Sequence, residues 1–148
     1  MSPSPGQVFV TRKAKFSAAH RYHNPAWSDE KNREVFGASN NPFGHGHNYE
    51  VEVTVAGYVD SATGMVINLR EIDKVLKEEV VSRMDNRHLN EELPEWRTVV
   101  PTTENIAIAI WERIAPRLER EKHRLLRVRV HESPELYAEY LGEEAPQT

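Results

Sequence analysis

The chain has 148 residues, of which 39% are hydrophobic and 28% are charged, and its formal net charge is −4. This length and composition are typical of one soluble globular domain with its own core. The negative charge argues against a nucleic-acid partner, because proteins that bind nucleic acid usually carry a basic excess. No apolar run approaches the ~18 residues of a membrane span, and the N-terminus lacks a signal-peptide pattern. We therefore expect a cytoplasmic protein without a membrane partner.

The first part of the chain predicts one strand followed by a long loop. We expect a single domain over 1–148, with flexible tails at 1–7 and 143–148. Alternating apolar residues over Val8–Ala18 predict the first strand. The segment 21–46 is rich in asparagine and carries no clear period, which predicts a long irregular loop of the kind that often has a function.

The rest of the chain alternates between strand and helix patterns. "NYEVEVTVAGYVD" predicts a second strand, and the turn "DSATG" followed by "MVIN" predicts that it returns as a hairpin. "NLREIDKVLKEEVVSRM" predicts a helix capped by Asn68. "TTENIAIAIWERIAPRLERE" predicts a second helix, capped by Thr102 or Thr103 and either kinked or broken for one turn at Pro116. "RLLRVRVHES" and "ELYAEYLG" predict the last two strands.

This order of elements favours an α+β fold, because antiparallel strands surround two grouped helices. Two helices cover one face of a four-stranded sheet and leave the other face or an edge open. We therefore expect an oligomer, in which a second copy of the chain covers what the helices do not.

Three histidines predict a metal site. His45 and His47 are two residues apart at the start of a strand, so their side chains point to the same side. His20 follows the first strand and can join them if the two strands are neighbours. Three nitrogen ligands with an open fourth position are typical of catalytic zinc. The alternative is that His45 and His47 are loop histidines without a metal. The chain has no cysteine, which excludes thiolate ligands, disulfides and a cysteine nucleophile.

The motifs then resemble a known family. "FSAAH", "FGASNNPFGHGHNYEVEVTV", "GMVINLREID", "MDNRHLN", "PTTENIAIAIWE" and "VHES" occur in this order between about 8 and 142. Together they resemble the 6-pyruvoyltetrahydropterin synthase family, which includes the 6-carboxytetrahydropterin synthases of the queuosine pathway.

The resemblance implies a fold and an assembly. The family has the T-fold, also called the tunnelling fold, a four-stranded antiparallel sheet with two helices on one face. Three subunits join their sheets into a barrel, and two trimers form a homohexamer with active sites at subunit interfaces. It also implies that His20, His45 and His47 hold zinc and that Glu132 binds the pterin ring.

The implied pterin pocket has further members, each with a simpler alternative. Thr102, Thr103 and Glu104 match a segment that lines the family's pocket, although the same residues suit a helix cap. The bidentate carboxylate of Glu132 suits the guanidine-like edge of a pterin. Without the resemblance, Glu132 would be read as a surface carboxylate at the end of a strand.

The family's reaction starts from 7,8-dihydroneopterin triphosphate and eliminates triphosphate, with a cysteine base and an Asp–His pair that moves a second proton. In this sequence the cysteine position is Ser39 and the histidine position is Asn86, beside Asp85. His88, two places later, can substitute for the missing histidine if the segment is extended, and is otherwise an exposed loop residue. A serine hydroxyl is a far weaker acid than a thiol.

Four interpretations remain open at this stage. The chain can be a zinc-dependent synthase with an altered base, such as Ser39 activated by His88 and Asp85. It can have different chemistry, as a 6-carboxytetrahydropterin synthase or an aldolase that yields 6-hydroxymethyl-dihydropterin. It can be a zinc- and pterin-binding module with little catalysis. An engineered serine would also explain the absent cysteine, but would leave Asn86 unexplained.

The substrate's triphosphate requires cations near the site, since the chain as a whole is acidic. The candidates flank the first strand or lie in loops, and the sequence does not choose among them: Lys13, Lys15, Arg21, Arg33 and Arg87.

Overall fold

The computed structural model describes residues 6–143. The predicted flexible tails therefore lie almost entirely outside the described residues. None of the helices in the described part of the chain combines the length and apolarity needed to span a bilayer.

Four long antiparallel strands form the sheet, as the motifs and the family resemblance predict. Their order is β1–β2–β4–β5, and a two-residue strand, β3, pairs in parallel with the end of β1. The strands are β1 (Val8–His20), β2 (His45–Gly57), β3 (Arg87–His88), β4 (His123–Ser133) and β5 (Leu136–Tyr140). Both long strands at the start of the chain extend further toward the histidines than predicted.

Helices cover one face of this sheet. The helices are α1 (Asp29–Phe36), α2 (Leu69–Leu76), α3 (Ser82–Met84), α4 (Leu89–Glu92) and α5 (Thr103–Leu118). A π-helical turn, Lys77–Val81, joins α2 to α3, so the predicted first long helix is continuous. Asn68 and Thr102 cap α2 and α5 through their side chains, as predicted. Short 3₁₀ turns occupy Gly37–Asn40 and Pro94–Arg97.

The core lies between the sheet and the helices. Alternate residues of β1, β2 and β4 point toward α2 and α5. The buried strand residues include Phe16, Tyr49, Val51, Val53 and Val128, and the buried helix residues include Ile72, Ile106 and Ile110. Arg12 interrupts the apolar face of β1, and its guanidinium donates to the Asp73 carboxylate of α2, with Nε 2.7 Å from Oδ1. The helix thus pairs the one charge on this side of β1 instead of burying it.

The opposite face of the sheet is polar. Lys13 pairs with Glu50 at 3.3 Å, Arg129 pairs with Glu139 at 3.1 Å, and His131 contacts Glu52. Charged cross-strand pairs therefore make this face polar, and it does not have to be buried by another subunit or element.

Two local predictions were wrong. The segment 21–46 contains α1, which begins at the N-cap Ser28 and is held by hydrogen bonds of the fully buried Asn32 to Asn24, not by an apolar stripe. The predicted return strand at 65–68 does not form. A single backbone hydrogen bond joins Asp60 to Met65, and the apolar side chains there pack into the core without strand pairing.

Candidate metal centre

Strand pairing brings the three histidines together. β1 and β2 are antiparallel neighbours, in a register that places His20 opposite His45 and Ala18 opposite His47. Because cross-strand partners share a side, His20, His45 and His47 all lie on the side of the sheet that faces the core. The structure therefore brings His20 next to His45 and His47, as a metal site formed by the three histidines requires.

The nitrogen atoms of these side chains are close enough for one metal ion. The Nε2 atoms of His20 and His45 are 3.1 Å apart, and one ligand nitrogen from each histidine lies within 4.8 Å of the other two. Two nitrogens of a tetrahedral zinc site are about 3.3 Å apart, given Zn–N distances of about 2.0–2.1 Å. Among the described residues, the buried Nε2 of His47 has no hydrogen-bond partner. The three imidazoles thus fit a metal ion.

The surroundings of His20 favour the tautomer and the neutral charge state that metal binding needs. Its ring is fully buried, and its Nδ1 lies 2.8 Å from the Pro101 carbonyl, to which it can donate. That bond leaves the lone pair of Nε2 directed at the other histidines. Burial, followed by the proximity of His45 and His47, lowers the pKa of His20 to about 4. The ring is therefore neutral at neutral pH, as metal binding requires.

A second cluster of possible ligands lies on the polar face. Glu50, Glu52 and His131 also bring ligand atoms within 4.8 Å of one another. These carboxylates are already paired with Lys13 and His131, so the cluster is explained by ion pairs within the protein.

Glu132 lies directly against the histidines. Its Oε1 is 3.3 Å from Nε2 of His47 and 3.5 Å from Nε2 of His20, and its side chain is 13% exposed. The end of β4 therefore places a half-buried carboxylate against two of the three histidines.

The N-terminus of α5 adjoins this carboxylate. Thr102 is the N-cap and accepts a hydrogen bond from the Asn105 backbone N–H at 3.1 Å, so its hydroxyl has a structural role. Thr103 is fully buried, and its side chain lies within hydrogen-bonding reach of Tyr22. Glu104 is exposed. Of the three predicted pocket residues, Thr103 is therefore the one that supports the Tyr22 side chain beside His20.

Sequence analysis missed two tyrosines of this site. Burial, then Glu132 and Glu104, raise the pKa of Tyr22 to about 12, and the Tyr22 ring packs edge-on against His20. The Tyr49 hydroxyl lies 3.1 Å from Nδ1 of His20, and burial raises the pKa of Tyr49. Each tyrosine follows a predicted metal ligand by two residues. The same alternation that paired His45 with His47 could have identified Tyr49, whereas Tyr22 lies beyond the end of β1 and had no such signal.

Most of this sequence matches one protein family. The match to the family model described as 6-pyruvoyl tetrahydropterin synthase covers residues 9–143. The chain belongs to the 6-pyruvoyl tetrahydropterin synthase family.

Relatives within the 6-pyruvoyl tetrahydropterin synthase family match over nearly their full length. A 6-pyruvoyl tetrahydrobiopterin synthase of Poecilia reticulata is 44% identical over 135 residues, which cover 91% of this chain and 90% of the relative. The protein of the same name from Homo sapiens is 42% identical over 137 residues, which cover 93% of each chain. The solved structure of Caenorhabditis elegans 6-pyruvoyl tetrahydropterin synthase superposes with a TM-score of 0.89 at 35% identity, covering 96% of this chain and 100% of that one.

Of the residues predicted to transfer protons, Ser39 is separate from the others in the hydrogen-bond network of the described residues. The Asp85 carboxylate accepts a hydrogen bond from the Ser17 backbone N–H at 2.8 Å and contacts the Asn86 amide at 3.5 Å. The Ser39 carbonyl accepts the backbone N–H of Tyr22 at 2.9 Å. No hydrogen bond links Ser39 to Asp85 or His88 in the described part of the chain.

His88 was expected to replace the missing histidine only if its segment is extended, and the backbone is extended only in part. Asn86 has a left-handed backbone with φ of 60°, so the segment turns there and the simple alternation with His88 does not apply. Even so, Asn86, His88 and His47 line one cavity of about 540 Å³. The ring of His88 packs against Gly44, and its Nδ1 is buried without a partner among the described residues. His88 therefore lies beside the loop that leads to His45.

Proposed function

We propose that this chain is a zinc-dependent lyase of the pterin pathway that acts on 7,8-dihydroneopterin triphosphate. The lyase class follows from the family, whose curated members match over nine-tenths of the chain. The observation that carries the proposal is the position of Glu132, within 3.5 Å of two imidazoles that converge with a third. A ligand held by that carboxylate would lie against the metal.

Glu132 and Thr103 are the proposed pterin anchors. A carboxylate accepts two hydrogen bonds from the amino group and ring N–H of a pterin, in the geometry that carboxylates use for guanidinium groups. The fully buried Thr103 hydroxyl lies within hydrogen-bonding reach of Tyr22, and would exchange that contact for one with the pterin. Both groups are held by regular structure, at the end of β4 and the start of α5, which favours precise placement of a ligand.

The proposed reaction is an elimination. A proton leaves a side-chain carbon of the substrate, the neighbouring C–O bond breaks, and the electron pair departs with triphosphate before the product tautomerises. Bound zinc would polarise the side-chain hydroxyls as a Lewis acid. Ser39 holds its proton at neutral pH, and Asn86 cannot titrate. We therefore expect the chain's own residues to bind and orient the substrate well but to transfer protons slowly.

The metal is tested by its stoichiometry. We expect purified protein to contain about one zinc ion per chain, and His45→Ala to lose it. His123→Ala is the control, because His123 opens β4 opposite Gly57, at the far end of the sheet. Elemental analysis that finds no stoichiometric zinc in the parent, or equal zinc in parent and His45→Ala, contradicts this part of the proposal.

The reaction is tested by incubating the protein with 7,8-dihydroneopterin triphosphate and identifying the products by mass spectrometry. Release of triphosphate with formation of 6-pyruvoyltetrahydropterin is the expected result. The altered residues Ser39 and Asn86 favour a second candidate, namely different chemistry on the same pterin. A 6-carboxytetrahydropterin or a 6-hydroxymethyl-dihydropterin would identify that candidate. Tight binding without any product would identify a binding module.

The role of the altered positions is tested by restoring the family's residues. Ser39→Cys combined with Asn86→His should raise turnover at least about 100-fold, the usual order of a general acid–base contribution. Ser133→Cys is a control that adds a thiol elsewhere in the site's surroundings. A parent that already turns over as fast as the double variant shows that these positions do not limit the reaction.

We also propose a homohexamer built as a dimer of trimers. The outer edge of β1 over 8–17 and the outer edge of β5 have no strand partner among the described residues, and exposed apolar side chains mark both edges: Val8, Phe9, Leu136 and Tyr137. Two different open edges suit head-to-tail joining of sheets into a ring. Sedimentation analysis that finds a monomer at micromolar concentration would refute this.

A further inference from the structure

Tyr49 makes a contact with His20 that neither the proposed pterin anchors nor the proposed elimination uses. The Tyr49 side chain is 1% exposed, and its hydroxyl oxygen lies 3.1 Å from Nδ1 of His20. The other ring nitrogen of His20, Nε2, lies 3.1 Å from Nε2 of His45 and is the atom that would face a metal. Tyr49 therefore contacts the candidate metal ligand at the nitrogen that a metal leaves free.

Packing in the core places the Tyr49 hydroxyl. Tyr49 lies directly opposite Phe16 in the pairing of β1 with β2, and the two rings stack with their centroids 4.9 Å apart. The rings of His47 and His20 meet Tyr49 edge-on, with centroid distances of 5.6 and 6.0 Å. Tyrosine has only two side-chain torsions, and contacts on several sides of this ring restrict both. The hydroxyl is therefore held at a fixed point beside His20.

The Pro101 carbonyl determines which nitrogen of His20 carries the proton. This oxygen lies 2.8 Å from Nδ1, and a carbonyl can only accept. The segment before α5 is itself held in place, because the Thr102 N–H and the Asn105 side-chain amide donate to the Val100 carbonyl at 2.8 and 2.9 Å. Nδ1 of the neutral ring is therefore protonated, which leaves the lone pair on Nε2.

Tyr49 is then a second acceptor for the same proton. The neutral ring of His20 has one N–H, at Nδ1, and the oxygens of Pro101 and Tyr49 lie 2.8 and 3.1 Å from that nitrogen. Burial raises the pKa of Tyr49, so the acceptor at neutral pH is a hydroxyl and not a phenolate. The Nδ1–H is thus shared between a hydroxyl from β2 and a carbonyl from the residue before the N-cap of α5.

Two acceptors on different elements hold the imidazole more firmly than one. A single bond to Pro101 would fix the tautomer but would let the ring rock about that contact. The Tyr49 hydroxyl restricts this motion from the β2 side. Partners of this kind orient a ligating histidine and increase its basicity. His20 is therefore ordered for metal binding before a metal arrives.

The other two candidate ligands lack this kind of support. In the part of the chain that the structure describes, neither the His45 ring nor the His47 ring hydrogen-bonds to a carbonyl or a hydroxyl. His45 contacts Nε2 of His20, and His47 lies 3.3 Å from the Glu132 carboxylate. The order of the three histidines therefore depends mainly on His20, and through it on Tyr49.

We propose that Tyr49 is a positioning residue of the candidate metal centre, whose hydroxyl accepts the Nδ1–H of His20 and holds Nε2 toward the other two histidines. This role rests on the proposed function for the identity of the metal as zinc. A ligand that is already ordered loses little further freedom when the metal binds, which increases affinity. Tyr49 acts through His20 and touches neither the metal nor the substrate.

Tyr49→Phe tests the hydroxyl alone, because phenylalanine keeps the ring that stacks on Phe16. The zinc affinity of the full chain is measured by competition with a chelator at neutral pH. The variant should bind zinc about tenfold or more weakly than the parent, the usual effect of losing an outer partner of a ligating histidine. Equal zinc affinity in the parent and Tyr49→Phe would overturn the proposal.

Tyr140→Phe is the matched control for this measurement. Tyr140 is a partly buried tyrosine that packs on Trp111 and lies opposite Val128 of β4. The control should bind zinc as the parent does, because its hydroxyl is remote from the histidines. A loss of zinc affinity in Tyr140→Phe equal to that in Tyr49→Phe would show that the effect is not specific to the His20 contact.

Cobalt(II) in place of zinc reports the geometry of the ligands, which a general loss of stability would not change. The visible absorption of the cobalt-loaded protein should differ between the parent and Tyr49→Phe, and should be the same in the parent and Tyr140→Phe. Identical spectra in all three proteins would show that the Tyr49 hydroxyl does not orient His20.

Nuclear magnetic resonance of the metal-free parent tests the same contact without a variant, so the proposal stays testable if Tyr49→Phe fails to fold. Spectra of the isotope-labelled imidazole nitrogens should show His20 protonated at Nδ1, with that proton protected from exchange with water. A proton on Nε2 would overturn the proposal, because Tyr49 would then be the donor and Nε2 would have no lone pair for a metal.

These measurements separate the role of Tyr49 from the function on which it rests. If the parent binds zinc and Tyr49→Phe binds it equally well, the positioning role fails and the zinc site stands. If the parent binds no zinc, the zinc of the proposed function fails, and an Nδ1 proton of His20 that loses its protection in Tyr49→Phe still establishes that Tyr49 orders His20. Weaker zinc binding in Tyr49→Phe, with an altered cobalt spectrum, supports both.

Discussion

The stability of the metal-free protein should depend on pH through His20, in a direction that the structure defines. The imidazole is fully buried, and burial is the main reason that its pKa falls from 6.5 to about 4. Between these values an unfolded chain binds a proton at His20 and a folded chain does not, so protons favour unfolding. The contribution of His20 to stability is complete above pH 6.5 and is lost as the pH falls through about 4.

The magnitude follows from the same two values. The difference between 6.5 and about 4 corresponds to about 3 kcal/mol of unfolding free energy, most of it lost by about pH 4.5. This is a large part of the roughly 5–15 kcal/mol by which a typical domain is stable. Urea unfolding of chelator-treated protein at about pH 7 and about pH 4.5 measures it, at constant protein concentration because assembly contributes to stability.

His20→Gln is the control for this measurement. Its amide can still donate to the Pro101 carbonyl, but it does not titrate, so acidification should cost it about 2–3 kcal/mol less than the parent. Carboxylates that titrate in the same range affect both proteins alike and cancel. Equal losses in parent and variant would show that His20 is not held neutral by burial. Adding zinc at about pH 7 should stabilise the parent but not His20→Gln.

Two further substitutions test the geometry around the metal. Gly44→Ala places a Cβ 2.9 Å from the His20 carbonyl and should weaken zinc binding at least about tenfold. The control Gly64→Ala has the same left-handed φ but open space around the Cβ, so it should cost only about 1–2 kcal/mol of stability. Equal zinc affinity in these two variants, measured by competition with a chelator, would contradict the contact. Glu132→Gln should weaken binding of a reduced pterin about tenfold or more in a fluorescence titration, since it removes a charge-assisted acceptor, and the exposed Glu135→Gln should not. Unchanged affinity in Glu132→Gln would remove that carboxylate from the pterin site.

Several parts of the site could be predicted from local sequence because they depend on local periodicity. His45 and His47 share a face because residues two apart on a strand always do. Asn68 and Thr102 cap helices because a short polar side chain before an apolar stripe satisfies free backbone N–H groups. Tyr49 follows the same strand rule two residues after His47, so local periodicity also predicts its side, whereas Tyr22 lies beyond the end of β1.

Other parts had no local signal strong enough to decide them. Helix α1 lacks an apolar stripe because the buried amide of Asn32 holds it, and such hydrogen bonds depend on a loop that the pattern cannot place. The residues at 65–68 have strand-like side chains, but strand formation requires a partner, and none of the described strands pairs with them. The apolar side chains at 65–68 could be buried in the core without pairing to a strand.

The sequence by itself determined the family, the α+β class, and which residue types were present for metal and pterin chemistry. Only the tertiary structure decided that the register of β1 against β2 sets His20 opposite His45, and that Glu132 arrives beside them from β4. It also showed that no hydrogen bond joins Ser39 to Asp85 in the part of the chain that the structure describes. The physical reason is that local periodicity carries information over only a few residues along the chain. Periodicity reports which way a side chain points on its own element, whereas the distance between side chains on different elements depends on pairing and packing of the whole chain.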